Sequence, residues 1–107
     1  LARQQAVQEA TRYATEVPFK TMRLCYECMS VAKAMAEIGN PNSVTDAGVG
    51  ALAARAGMMG AFLNVKINAA GLEDKVFADS LICQGEEIAK KANQLEAEIL
   101  QIVNSKI

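Results

Sequence analysis

The sequence predicts an all-α fold, a bundle of long helices in a single domain spanning residues 1–107. Apolar residues recur three or four positions apart along most of the chain, which is the spacing of one helix face. No stretch alternates apolar and polar residues in the way that a half-buried strand does. Loop-forming residues cluster at two internal places, 39–43 and 71–74, so the helices between them are expected to be long.

The first third of the chain is expected to begin with a helix over residues 2–16. One side of it carries small or apolar side chains at helical spacing, namely Ala6, Ala10, Tyr13, Ala14 and Val17. Pro18 is expected to end or kink this helix, because proline biases the preceding residue out of the helical region.

The segment from Pro18 to Ile38 is expected to be a second helix that is apolar on two sides. One apolar line consists of Phe19, Met22, Tyr26 and Met29, and the other of Leu24, Cys28, Val31, Met35 and Ile38. A helix that is apolar on two sides has to be covered on two sides. Helices from an absent half of a larger domain, or from another subunit, are expected to cover it. The alternative is a loosely packed, molten fragment.

The next helix is expected to run from Val44 to Ala70, about 40 Å at 1.5 Å per residue. Asn40 and its neighbours up to residue 42 read as a loop. Ser43 is then expected to cap the helix, with Asp46 completing a capping box three residues on. Gly71 is expected to end the helix in the left-handed conformation.

One face of this helix, the small-residue stripe, has almost no side-chain bulk. It consists of Asp46, Gly50, Ala53, Gly57, Gly60, Asn64 and Asn68. Each glycine inside a helix costs roughly 1 kcal/mol relative to alanine, so three on one line indicate a close approach to the backbone. Another helix could pack on the small residues, or a flat ligand could lie there with the aspartate and asparagines as polar contacts. The two interpretations are compatible if a helix covers one end of the stripe and a ligand lies on the other end.

The last helix is expected from about Asp74, a suitable N-cap residue, to Asn104. Its apolar positions form a heptad seam interrupted only by Gly85, made of Leu81, Ile88, Ala92, Leu95, Ile99 and Ile102. Together with the two-sided helix before Ile38, this seam predicts a homo-oligomer, most simply a dimer, held by contacts between helices.

Composition argues against several classes of function. Lys and Arg number 11 and Asp and Glu 12, for a net charge of −1, so the basic excess typical of a nucleic-acid binder is absent. No apolar stretch reaches the roughly 18 residues of a membrane span, and no leader pattern is visible. The chain is therefore expected in the cytoplasm, without nucleic acid or membrane as partners. Histidine is absent, which removes the commonest general base and metal ligand.

The three cysteines are expected to be buried small hydrophobic residues. Cys25 and Cys28 form a CxxC pair, but a redox pair belongs at a helix start, and the expected start at Pro18 lies seven residues earlier. A zinc site needs four ligands, which three cysteines without histidine do not supply. No metal is expected, and an odd number of cysteines favours a reducing compartment.

The segments GNPNSVTDAGVGA and GAFLNVKINAAGLED resemble the formimidoyltetrahydrofolate cyclodeaminase and methenyltetrahydrofolate cyclohydrolase family. The family pattern has Gly-Asn, then Ser-x-Asp opening a long helix, then Gly-Ala, Asn-Val and Ile-Asn along it. These motifs correspond here to Gly39-Asn40, Ser43 to Asp46 with one extra residue, Gly60-Ala61, Asn64-Val65 and Ile67-Asn68. Family members are about twice as long and carry a Pro-Gly-Gly-Gly-Ser type segment near their start. The resemblance therefore implies a cyclodeaminase-like fold and the second half of such a domain.

The resemblance implies an enzyme that acts on a tetrahydrofolate derivative. Either 5-formimidoyltetrahydrofolate closes to 5,10-methenyltetrahydrofolate with loss of ammonia, or 5,10-methenyltetrahydrofolate is hydrolysed to 10-formyltetrahydrofolate. Asp46 is then the catalytic candidate, since an ionised carboxylate stabilises a developing cation. Asn40, Ser43, Asn64 and Asn68 are the substrate-binding candidates. Without the resemblance, Asp46 equally well only caps its helix, and the asparagines at 64 and 68 only bond a neighbouring helix.

A second interpretation from the residues alone is a helical assembly module without catalytic activity, whose apolar faces serve to dimerise. Binding of folate would separate the two interpretations.

Overall fold

The computed structural model describes residues 1–107 and consists of three long α-helices without a strand. They are α1 (Ala2–Ile38), α2 (Val44–Ala69) and α3 (Lys75–Ser105), with one 3₁₀ turn at Pro41–Ser43. The molecule measures 60 × 18 × 16 Å, so the helices lie side by side along their lengths. Short loops make sequential helices antiparallel. The predicted all-α bundle is confirmed.

The core is the line along which the three helices meet. The fully enclosed side chains come from every helix, chiefly Met22 and Met29 of α1, Met58 and Val65 of α2, and Ile99 of α3. The heptad seam of α3 is confirmed as its inward face, since its members are buried or half-buried. The seam therefore packs on the other two helices of the same chain.

Pro18 neither ends nor divides the first helix, so the prediction of two segments is wrong. α1 is continuous from Ala2 to Ile38 with Pro18 inside it. A proline inside a helix leaves the carbonyl four residues earlier without its usual donor. That carbonyl belongs to Ala14, and the side-chain Nδ2 of Asn68 in α2 donates to it at 3.0 Å. A neighbouring helix thus replaces the hydrogen bond that proline removes.

The connection from α2 to α3 is held by one side chain of α1. Gln8 donates from Nε2 to the carbonyl of Gly71 at 3.1 Å and accepts from the backbone N–H of Glu73 at 2.9 Å. Gly71 does not adopt a positive φ, so its predicted left-handed helix end is wrong. The predicted cap of α3 is confirmed, because Asp74 Oδ1 accepts from the Phe77 N–H at 3.1 Å.

The connection from α1 to α2 differs in detail from the expected capping box. Ser43 stands at the N-cap position of α2, but its side chain makes no capping hydrogen bond, so the predicted box is wrong. Instead, Asn40 accepts the Asn42 N–H at 3.0 Å and starts the 3₁₀ turn. At the same end of the bundle, Lys106 Nζ donates to the last-turn carbonyls of Ala36 and Glu37 at 2.6 and 2.7 Å.

The two apolar lines of α1 have different environments. Phe19, Met22 and Met29 face the core. The opposite line lies open, with Leu24 60%, Val31 62% and Ile38 81% exposed. Because α1 is continuous, this open line extends back along the whole helix. We call it the outer seam, and it consists of Val7, Ala10, Ala14, Val17, Thr21, Leu24, Cys28, Val31, Met35 and Ile38.

The stretch Pro41–Ala69 is long and apolar enough to cross a membrane, by length and composition only. The expectation that no stretch is sufficiently apolar is therefore wrong for this helix. Of the 18 most apolar consecutive residues in this stretch, 33% are buried inside the molecule. Core helices of water-soluble proteins meet the same criterion. The absence of a membrane partner therefore stays a prediction.

Candidate functional site

A groove forms where the end of α1 turns into the start of α2. This first groove has a volume of about 500 Å³. Its walls are the outer seam of α1 on one side and the first turns of α2 on the other. It is lined by Cys28, Val31, Ala32, Met35, Gly39, Asn40, Ser43, Asp46, Ala47 and Gly50.

Asp46 is the one charged side chain that lines the first groove. It lies in the first turn of α2, where the helix dipole favours a negative charge. It is exposed, accepts no hydrogen bond from the chain and forms no ion pair. A carboxylate that is not engaged in capping is free to face a cationic ligand.

Asn40 and Ser43 line the same groove as Asp46, as the sequence motif indicated. Asn40 uses its side-chain oxygen on the Asn42 N–H, which leaves its Nδ2 amide hydrogens without a partner in the chain. The Ser43 hydroxyl makes no capping bond. A ligand in the groove therefore meets an amide donor, a hydroxyl and a carboxylate.

Asn64 and Asn68 lie in a different place. They line a second groove of about 430 Å³, together with Gly57, Gly60 and the part of α1 around Pro18. The 18 residues between Asp46 and Asn64 correspond to about 27 Å along α2. The structure therefore gathers three of the five predicted site residues in one groove and the other two in another.

Asn68 has a structural partner, and this yields a prediction. Replacing Asn68 with alanine is expected to lower the free energy of unfolding by about 1 kcal/mol, since the Ala14 carbonyl loses its donor. In a Pro18→Ala background the backbone N–H of residue 18 serves that carbonyl, so the same replacement should cost clearly less. Urea unfolding of the four proteins measures this coupling. Equal costs in both backgrounds would contradict the assigned role.

The small-residue stripe is open along most of its length. A Cβ built on Gly50 or Gly60 meets no atom within 4 Å, and one built on Gly57 meets only Cys25 Sγ at 3.3 Å. No helix of this chain covers the stripe. The outer seam of α1 runs beside it, because both grooves have seam residues on one wall and stripe residues on the other.

The prediction that all three cysteines are buried is wrong. Cys28 and Cys83 are exposed, Cys25 is half-buried, and all three are free thiols. Burial raises the pKa of the Cys25 thiol, and the neighbouring Cys28 raises it further. Cys28 and Val31 also line the first groove, although neither was predicted as a site residue. Their position on the second apolar line of α1 was the available signal.

Neither groove is lined by a lysine or an arginine. No group of three or more cysteine, aspartate or glutamate side chains is arranged to hold a metal ion. Acid–base chemistry in the first groove therefore has the Asp46 carboxylate, the Ser43 hydroxyl and the Cys28 thiol to draw on within this chain.

Comparisons with known proteins agree on one family. Residues 1–87 match the family model described as formiminotransferase-cyclodeaminase. The chain is 42% identical over 106 residues to a methenyltetrahydrofolate cyclohydrolase of Methylorubrum extorquens, covering 99% of this chain and 51% of that protein. It is 31% identical over 101 residues to a formimidoyltransferase-cyclodeaminase of Dictyostelium discoideum, covering 94% of this chain and 19% of that protein.

A formimidoyltransferase-cyclodeaminase of Rattus norvegicus is 34% identical over 74 residues. The alignment covers 69% of this chain and 14% of that protein. The chain thus spans about half the length of the first relative and a smaller share of the others.

Proposed function

The chain belongs to the formiminotransferase-cyclodeaminase family, and from this membership and the first groove we propose that it is part of a folate-dependent one-carbon enzyme. The substrate is 5,10-methenyltetrahydrofolate, hydrolysed to 10-formyltetrahydrofolate. The identity of 42% to a protein named methenyltetrahydrofolate cyclohydrolase, over nearly all of this chain, favours this reaction. Closure of 5-formimidoyltetrahydrofolate with loss of ammonia is the second candidate, supported by the two relatives named cyclodeaminases.

The position of Asp46 carries the proposal. Both reactions involve the same cationic methenyl bridge, as substrate in hydrolysis and as product in ring closure. A carboxylate beside this bridge stabilises its positive charge, most strongly where the groove excludes water. Asp46 is the single charge among walls that are otherwise apolar or neutral. The groove therefore favours a flat, cationic ligand over an anionic one.

In hydrolysis, water adds to the bridge carbon, and Asp46 accepts the proton that the water releases. The bond from this carbon to N5 of the folate then breaks, and N5 keeps the electron pair. The hydroxyl on the carbon becomes the formyl C=O as its proton is lost, and N5 takes up one proton. The formyl group stays on N10, and the proton on Asp46 leaves to solvent as the one proton released overall. Val31 and Met35 form the apolar wall, while Ala47 and Gly50 leave room for a flat ring.

Asn40 and Ser43 are proposed to bind the edge of the pterin ring. Asn64 lies about 27 Å from Asp46 along α2 and cannot contact the same ring. Its contact with substrate, and that of Asn68, stay predictions that need a more distant part of the ligand.

Further parts of the proposal concern assembly and location. The protein is proposed to be the second half of a cyclodeaminase-type domain, to work as a homodimer in the cytoplasm, and to need no metal. Neither nucleic acid nor a membrane is proposed as a partner. Two exposed free thiols are compatible with a reducing compartment.

The test is an absorbance assay of methenyl-folate hydrolysis, with this chain and with a protein of the full length of the relatives. We expect the full-length protein to accelerate the loss of the methenyl absorbance well above the buffer rate. Ammonia release from 5-formimidoyltetrahydrofolate, measured in parallel, distinguishes the two reactions. A protein that neither accelerates a reaction nor binds either folate would support the non-catalytic assembly module instead.

A further inference from the structure

We propose that Lys106, at the end of α3, is a positioning residue for the first groove, because it fixes the end of α1 and, with it, Asn40. This inference rests on the proposed function, since it concerns how the groove holds the edge of the folate. Lys106 does not line the groove and is not proposed to touch the substrate. Its effect passes through the backbone of α1.

The end of α1 lacks the donors that normally complete a last helical turn. The carbonyl of Glu37 would accept from the N–H of residue 41, but residue 41 is a proline and has no N–H. The carbonyl of Ala36 also accepts from no backbone N–H, because the chain leaves the helix at Gly39. No basic residue lies in the last turn of α1 to balance the negative end of the helix dipole. Without an outside contact, this helix end would fray.

Lys106 supplies both missing donors and the missing positive charge. Its Nζ donates to the Ala36 carbonyl at 2.6 Å and to the Glu37 carbonyl at 2.7 Å, across 70 and 69 residues of sequence. A hydrogen bond from a charged donor is roughly twice as strong as a neutral one. Lys106 forms no ion pair that would compete for its ammonium group. As at Pro18, a side chain from another helix replaces the donor that a proline lacks.

The two anchored carbonyls lie between residues of the groove wall. Met35 lines the first groove immediately before them in sequence, and Gly39 and Asn40 line it shortly after them. Asn40 also starts the turn into α2, because its side chain accepts the Asn42 N–H at 3.0 Å. A displacement of the last turn of α1 therefore moves Asn40 relative to the rest of the groove.

The same end of α3 also contacts the opposite wall. Val103, one turn before Lys106, is buried and lies against α2 at Gly48, where an added Cβ would be 3.4 Å from the Val103 Cγ2. Gly48 is next to Ala47, which lines the groove. Loss of the Lys106 ammonium thus releases the α1 wall alone, while the α2 wall with Asp46 keeps its support. We therefore expect substrate binding to suffer more than the rate of the chemical step.

Kinetics of the full-length enzyme test the positioning role. Lys106→Met keeps a side chain of similar length and removes its donors and charge. The KM for methenyl-folate should rise about fivefold, the equivalent of one net hydrogen bond, while kcat changes by less than about twofold. Lys106→Arg keeps the charge and several donors, so it should restore the KM. Lys90→Met is the matched control, because Lys90 is exposed on α3, forms no ion pair and lines neither groove.

Amide hydrogen exchange of the same proteins measures the anchor without reference to activity. The N–H groups of Gly39 and Ser43 are hydrogen-bonded in the connection beside the groove. In Lys106→Met they should exchange about fivefold faster or more, because local opening of this helix end becomes easier. The hydrogen-bonded N–H groups of Gly71 and Leu72, in the other connection, are the internal reference and should exchange at unchanged rates. Circular dichroism checks that the variants stay helical.

Several outcomes would overturn the proposal. An unchanged KM in Lys106→Met, or a raised KM that Lys106→Arg does not restore, would exclude the positioning role. Equal acceleration of exchange in both connections would indicate a general loss of stability instead of a local anchor. If the wild-type enzyme acts on neither folate, the proposed function fails. In that case faster exchange at Gly39 and Ser43 would still support the anchoring of α1 by Lys106, and unchanged exchange would overturn it.

Discussion

Gly85→Leu is expected to lower the free energy of unfolding by about 3 kcal/mol, the upper end of the usual cost of overpacking a core. Gly85 is buried on α3, directly against the ring of Phe62 from α2. A Cβ at this position lies 2.9 Å from the Phe62 Cζ and 3.0 Å from its Cδ1. The Phe62 side chain is only 2% exposed, so its ring is enclosed by the core. Gly85 therefore interrupts the heptad seam of α3 because the Phe62 ring occupies the space that a side chain at this position would fill.

Two glycine-to-alanine variants, one at Gly85 and one at Gly60, provide the control for this prediction. In an ordinary helix, glycine to alanine adds about 1 kcal/mol of stability. Gly60→Ala should show this gain, because a Cβ there meets nothing within 4 Å. Gly85→Ala should instead lose stability, since the clash with Phe62 outweighs the gain in helix propensity. Urea unfolding followed by circular dichroism measures both changes. A gain of similar size in both variants would show that the ring moves aside at little cost.

The sequence was a good guide to the helices and a poor guide to how they end. α2 and α3 lie within a residue or so of their predicted bounds, because the loops at 39–43 and 71–74 interrupt long apolar patterns. The prediction that Pro18 divides α1 was wrong because Asn68, 50 residues away in sequence, donates the hydrogen bond that proline cannot. The capping prediction for Ser43 was wrong because this residue is itself the last residue of a 3₁₀ turn. Both exceptions depend on contacts or geometry that local propensity does not contain.

The candidate site was predictable in part. Periodicity correctly put Asp46 and Asn64 on one face of α2, but a face 40 Å long is not a site. Which part of the α2 face lies in a groove depends on where α1 ends. Only the folded structure shows that Asp46 lines the first groove. Periodicity also found two apolar lines on α1 without indicating which one the chain covers itself. The line with Phe19 and Met22 faces the core, and the line with Leu24 does not.

Asp46→Asn is expected to reduce turnover of the full-length enzyme by about 10²-fold or more while leaving the fold intact. Losing one preorganised electrostatic group has this effect on the rate. The stability cost should be small, at most about 0.3–1 kcal/mol for a charge at an exposed helix start. Asp46 makes no capping hydrogen bond that the substitution could break. Asparagine has nearly the same size and keeps a side-chain oxygen in the groove.

The measurement is the rate of methenyl-folate hydrolysis by absorbance, with kcat and KM determined separately and stability followed by urea unfolding. Asp79→Asn is the matched control, because Asp79 is exposed on α3 and lines neither groove. It should leave kcat and KM unchanged. A carboxylate that only binds the cationic substrate would raise KM in the Asp46 variant and leave kcat intact. A carboxylate that also accepts the proton from water would lower kcat, and this is the result we expect. Wild-type kcat and KM in the Asp46→Asn enzyme would show that Asp46 takes no part in the reaction. The first groove would then lose the observation that supports it as the active site.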